Sequence, residues 1–115
     1  MPPLTTTHDA LVAETLGNDP FYGDIEAGDY QEAYRLPASV APETFVRQLR
    51  LALDEVNEEL AEWMAAREAE SQTVLTDEQR RYYEEAVYAW AYALLIPLLP
   101  SLYATDQADR SEEGR

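Results

Sequence analysis

The side chains that could do chemistry are few and poorly placed for it. His8 is the sole histidine, cysteine is absent, and most of the other titratable groups are carboxylates. A Ser-His-acid or Cys-His set cannot be assembled around one base close to the N-terminus. Asp106, Asp109, Glu112 and Glu113 come nearest to a carboxylate metal cluster. They lack the glycine-centred register of a calcium loop and read as a solvated tail. Glu84 and Glu85 enter an apolar stretch, where burial would raise a carboxyl pKa. The simpler reading pairs them with Arg80 or Arg81 on the helix surface. No glycine-rich phosphate loop is present. The expectation is a non-enzyme with no catalytic residue, metal or cofactor.

What remains is the chemistry of contact. Tyr82, Tyr83, Tyr88, Trp90 and Tyr92 follow one another closely, and Leu98, Leu99 and Leu102 come after them. Tyrosine and tryptophan anchor interfaces because they bury much area at little entropic cost. One apolar stripe is enough to pack a helix on a single partner. Aromatics on more than one face therefore predict that these eight residues form a subunit or partner interface on the back of a helical hairpin.

The element that carries them is set by its ends. Ala86 to Ala104 holds no charged residue. Thr76 and Gln79 have the spacing of a reciprocal capping box, and Asp77 and Glu78 sit where the helix dipole favours carboxylates. Pro97 predicts that the helix kinks or stops near Leu95–Ile96. Nineteen uncharged residues have the length of a membrane span. Two prolines, the absence of lysine and acidic flanks make them a poor one, and a helix covered on several sides is expected instead.

The partner helix starts at Pro42, a good first helical residue, and is predicted to run to about Arg67. Phe45, Leu49, Ala52, Leu53, Val56, Leu60, Trp63 and Met64 recur at spacings of three and four, a single apolar stripe. The opposite face bears Arg47, Arg50, Asp54, Glu55, Glu58, Glu59 and Glu62. Upstream, Asn18-Asp19-Pro20 is a turn, Phe21, Tyr22 and Ile25 an aromatic cluster that docks on the helices, and Asp29 to Leu36 a short helix ended by Pro37. No run alternates like a strand. The predicted fold is all-α: a long antiparallel helical hairpin with a short N-terminal helix and flexible ends. Residues 1–19 are a flexible arm, 20–105 the helical domain, and 106–115 a disordered acidic tail.

Charge narrows the partners. The 115 residues hold 23 acids and eight bases, all arginine, for a net charge of −15. A phosphate-tracking surface needs clustered cations, so the acid excess argues against nucleic-acid binding by this chain. A soluble protein, a DNA mimic or the partner of a basic surface fits. The N-terminus lacks the basic and apolar regions of a signal peptide, and the chain reads as cytoplasmic.

Several blocks, in order and spacing, resemble the head completion/stabilisation protein (GpL) family of Peduovirus-type tailed bacteriophages. They are Phe21-Tyr22-Gly23-Asp24-Ile25, Tyr34-Arg35-Leu36, Val40-Ala41-Pro42 with Val46-Arg47, Leu49 and Ala52, Glu55 to Trp63, Tyr82 to Tyr88, and Tyr103-Ala104-Thr105. The resemblance spans about residues 21–105. Gly23 replaces a usual proline, and Pro97 and Pro100 interrupt a region expected to be polar. The family's pattern continues into a further helix beyond the linker, which would pack on Ile96 to Leu102; the chain ends at Arg115.

The resemblance implies a structural virion protein in which 20–105 is a connector domain. Copies bind the portal as a ring, twelve-fold on that template, retain packaged DNA without specific binding, and present the surface for a tail-completion protein. It implies the head-tail junction as location, with the host cytoplasm during assembly, and no membrane. On this reading Glu55, Glu58, Glu59 and Glu62 form an acidic face that would line the ring's lumen and repel passing DNA. The alternative is a small acidic helical binding protein, a DNA mimic or antitoxin-like inhibitor; a membrane-associated hairpin is the third reading.

Overall fold

Residues 11–99 are described by a computed structural model. In chain order they form β1 (Thr15–Leu16), β2 (Ile25–Glu26), α1 (Ala27–Ala33), α2 (Pro42–Glu59), α3 (Ala61–Ala69) and α4 (Asp77–Leu95), followed by a 3-10 turn over Ile96–Leu98. Asn57 of α2 meets Tyr83 of α4, and Thr44 lies near Leu95 and Leu98, so α2 and α4 run antiparallel.

Local chemistry fixes the ends of these helices. Pro42 is the first residue of α2. Thr76 Oγ1 accepts from the Gln79 amide at 3.1 Å, and Gln79 Oε1 accepts from the Thr76 amide at 3.0 Å, so the capping box is complete. The α-helix stops at Leu95, two residues before Pro97, as expected of a residue with no amide donor. Both α1 and α3 end without glycine. Arg35 (φ 48°) and Ser71 (φ 73°) occupy the left-handed position instead. Leu36 and Gln72 each donate back five residues, to Gln31 and Arg67, closing a Schellman motif at either place.

The core lies between α2, α4 and the N-terminal segment. Phe45, Leu49, Ala52 and Leu53 of α2 are buried against Tyr83, Val87, Tyr88, Ala91 and Leu95 of α4. Burying each large apolar side chain is worth roughly 1.5–3 kcal/mol. Tyr30 of α1 caps this layer, its ring 5.5 Å from that of Tyr88 and 6.4 Å from that of Phe45.

The structure departs from the sequence expectations in several places. The chain is mostly but not strictly all-α, because β1 and β2 pair antiparallel, Thr15 with Glu26 and Leu16 with Ile25. Strands of two residues are too short to show an alternating pattern. Residues 11–19, expected as part of a free arm, are seated on α1. The Val12 amide donates to Gln31 Oε1 at 2.8 Å, Ala27 donates to the Glu14 carbonyl at 2.9 Å, and Leu16 is buried. Gly28 permits this approach, since a Cβ there would lie 2.7 Å from the Val12 carbonyl oxygen. Residues 1–10 and the tail from 106 lie outside the described residues.

The short helix spans Ala27–Ala33 rather than Asp29 to Leu36, because the turn at Arg35 ends it before Pro37. The predicted single helix from Pro42 breaks at Leu60 (φ −95°, ψ 5°). No proline or glycine marks that position. Beyond it, the Trp63 ring lies edge-on to Phe21 at 6.1 Å, a contact with the N-terminal turn.

Candidate interface

A turn in the N-terminal segment locks the two long helices together. Asp19 accepts from the Tyr22 and Gly23 amides, both at 2.9 Å, and its carboxylate takes the Phe21 amide at 2.8 Å. The turn brings Asn18 between α2 and α4. The Tyr83 hydroxyl donates to Asn57 Oδ1, Asn57 Nδ2 donates to Asn18 Oδ1 at 2.8 Å, and Asn18 Nδ2 donates to the Tyr83 oxygen at 3.0 Å. Three side chains from three segments thus satisfy one another in a closed ring. Tyr22 stacks on Tyr83 with ring centroids 4.5 Å apart and planes within 7°.

Arg80 fastens the same turn from α4. It donates to the Tyr22 carbonyl, to the Asp24 carbonyl at 2.6 Å and to Glu84 Oε2 at 2.7 Å. Glu84 is therefore the helix-surface partner of Arg80 that the simpler sequence reading expects. Gly23 (φ 85°) sits against the Arg80 guanidinium, which occupies the place a Cβ would take. The sequence reading places Asn18 in a turn and Arg80 beside Glu84, but no pattern shows the bonds that tie Asn18, Asn57 and Arg80 across the fold, because those partners lie 26 to 65 residues away.

The eight expected interface residues separate into different environments. Tyr83 and Tyr88 are core residues, and Tyr83 also lines the smaller of the two cavities described below. Burial pushes both hydroxyls up to about 12. For Tyr83 the hydrogen bonds with Asn18 and Asn57 and the charge of Arg80 oppose that rise; for Tyr88 the carboxylates of Glu84 and Asp29 add to it. Tyr92 is half-buried against Tyr34, with ring centroids 5.1 Å apart. Tyr82 and Trp90 are open, 64% and 46% exposed. Leu98 is exposed and Leu99 half-buried at the far end of the hairpin, beside a cavity of about 240 Å³ that Val40 and Thr44 also line. Leu102 lies outside the described residues.

Tyr82, Ala86 and Trp90 are spaced four apart and share one exposed stripe of α4. Facing them across a groove are Val56, Leu60 and Trp63. Two adjoining cavities make up the groove, about 620 Å³ at the Trp90 end and about 330 Å³ at the Tyr82 end, with Leu60 and Ala86 common to both. Glu55, Glu58 and Glu59 line the larger one, and the Trp90 indole donates to Glu55 Oε1. The expected acidic face and the exposed aromatics therefore meet at one groove, rather than lying on opposite sides of the hairpin. Glu62, past the bend, is exposed outside it.

The arrangement has the chemistry of recognition. Among the described residues no group of His, Cys, Asp and Glu could hold a metal ion, and no helix is long and apolar enough to cross a membrane. A family model described as phage head completion protein (GPL) matches residues 16–114. Searches of curated proteins and of solved structures returned no significant match.

Proposed function

This chain belongs to the phage head completion protein (GPL) family, and on that premise we propose that it closes the DNA-filled head by assembling as a ring on the portal. In that position it retains the packaged DNA and offers the surface to which the tail-completion protein joins. Membership in a structural virion family favours this reading over an acidic inhibitor or DNA mimic. The single observation that carries it is the extent of the family match, residues 16–114, which takes in nearly the whole described fold.

The physical properties of the chain support the finer steps. A net charge of −15 makes free copies repel one another and makes DNA a poor ligand. Such copies gather on a template more readily than in solution, which fits a ring, twelve-fold on the portal, that forms only at the head-tail junction. Until then the chain waits in the host cytoplasm. The same charge next to packaged DNA disfavours adhesion, so the genome can pass without being held.

The test is co-sedimentation of the chain with DNA-filled heads that carry the portal but lack the completion protein. Saturable binding at ring-like stoichiometry, with heads that then keep their DNA, is the expected result. Heads that take up no protein, or leak DNA at the same rate with and without it, would overturn the proposal.

A further inference from the structure

We propose that the groove between α2–α3 and α4 is a docking site for a cationic amphipathic helix of another protein. Its apolar side would rest on Val56, Leu60, Ala86 and Trp90, and its bases would meet Glu55, Glu58 and Glu59. The inference rests on the connector reading only in taking that protein to be a neighbour in the virion.

Shape argues for a helix. The groove follows α4 from Gln79 to Trp90. At ~1.5 Å per residue that is roughly 16 Å, the length of about three helical turns. Its lining away from the glutamates is mostly apolar, and the small Ala86 side chain lies at the junction of the two cavities, between Tyr82 and Trp90 on the same stripe. Grooves of this kind take amphipathic helices through anchors at i, i+3 or i+4, and i+7. Tyr22, Trp63 and Leu75 extend the apolar lining at the Tyr82 end.

Charge selects the occupant. The groove is lined by three carboxylates and no cation. The nearby Arg81 is directed to the Tyr82 ring, its guanidinium carbon 6.0 Å from the centroid. Among the described residues Glu58 and Glu59 make no ion pair. The stretches of this sequence on either side of the described residues are not basic. Residues 1–10 contain no lysine or arginine, and 100–115 set Arg110 and Arg115 against Asp106, Asp109, Glu112 and Glu113. A second copy would bring another charge of −15 toward the same acids. The complementary guest is thus a different protein that presents arginine or lysine beside leucine or phenylalanine.

The probe is a labelled helical peptide of three to four turns with leucine and phenylalanine on one side and arginine along both edges. Its twin carries glutamate in place of arginine. Each is titrated into the full chain and followed by peptide anisotropy and by tryptophan fluorescence. Saturable binding of the arginine peptide alone, weakened by salt, is expected. The triple change Glu55→Gln, Glu58→Gln, Glu59→Gln should weaken it by about tenfold. Ala86→Trp, at an exposed position, should fill the groove and abolish binding while the circular dichroism spectrum is kept.

Equal binding of both peptides, or binding untouched by Ala86→Trp, would overturn the proposal. So would sedimentation showing that copies associate through this groove, because the occupant would then be a second copy. Co-sedimentation with heads separates this inference from the connector reading. Heads that bind the chain while the peptide does not would sink the groove assignment and leave the connector standing. Peptide binding without head binding would do the reverse.

Discussion

The Tyr83 hydroxyl on α4 donates to Asn57 Oδ1 on α2, and both residues are completed by Asn18, whose carboxamide enters from the N-terminal turn. This contact joins all three layers of the fold by directional bonds between a buried tyrosine and two half-buried asparagines. Arg80 to the Tyr22 and Asp24 carbonyls, Arg50 to the Gly17 carbonyl and Trp90 to Glu55 add further directional bonds between these layers, and the rest is apolar packing, which tolerates sliding. The ring and the Trp90–Glu55 bond together set the register of α2 against α4, and with it the shape of the groove at Ala86.

Tyr83→Phe should lower stability by about 1–3 kcal/mol, because it leaves Asn57 and Asn18 each short of a partner. In a domain of this size each kcal/mol corresponds to a fall in Tm of about 4–8 °C. Asn57→Ala should cost a similar amount, and the double variant clearly less than the sum. Thermal unfolding followed by circular dichroism measures all three; additive losses would show that the ring is not a unit.

Alkaline pH should unfold the protein in a defined window. Tyr83 and Tyr88 hold their protons more tightly when folded, with burial pushing each up to about 12. Their contribution is full below pH about 10, where the unfolded tyrosines are still protonated, and is lost as pH rises toward about 12. Within that window each tyrosine should cost about 1.4 kcal/mol per pH unit. Urea unfolding at stepped pH gives the slope, and Tyr83→Phe should remove its own share.

Gly23→Ala should destabilise the turn by about 2–4 kcal/mol, since a left-handed backbone costs an alanine about 1–2 kcal/mol and the new methyl displaces Arg80 from its carbonyl partners. Adding Arg80→Ala should relieve the clash without relieving the backbone. The double variant should remain well below wild type in chemical denaturation.

Ser71→Gly and Arg35→Gly should each raise stability by about 0.5–1 kcal/mol. Both positions hold a left-handed residue at the end of a helix, where glycine removes steric cost at some expense in unfolded-state entropy. A higher midpoint in urea, with the slope unchanged, is the expected result.

How much of this could be read beforehand differed between the two long helices. On α2 a single apolar stripe exists, and Phe45, Leu49, Ala52 and Leu53 are indeed its buried residues. On α4 two stripes compete. Tyr83, Val87, Ala91 and Leu95 lie four apart, and so do Tyr82, Ala86 and Trp90. Both are apolar enough to face a core, so periodicity alone could not say how the helix is rotated. That ambiguity placed Tyr83 and Tyr88 among the expected contact residues when they are interior, and left Ala86 out of them although it lines the groove.

The sequence by itself determined what neighbouring residues decide. Thr76 and Gln79 start a helix, Pro97 stops it, Pro42 opens its partner, and Glu84 finds Arg80, because each depends on groups within one turn of the chain. The blocks from Phe21 to Thr105 also pointed to the family, since their order and spacing survive in the linear string. Tertiary structure alone decided which face of α4 is buried, the pairing of β1 with β2, the bend at Leu60, and the meeting of Trp90 with Glu55. These rest on contacts between residues distant in the chain, whose free energies depend on how whole helices are turned and set against one another.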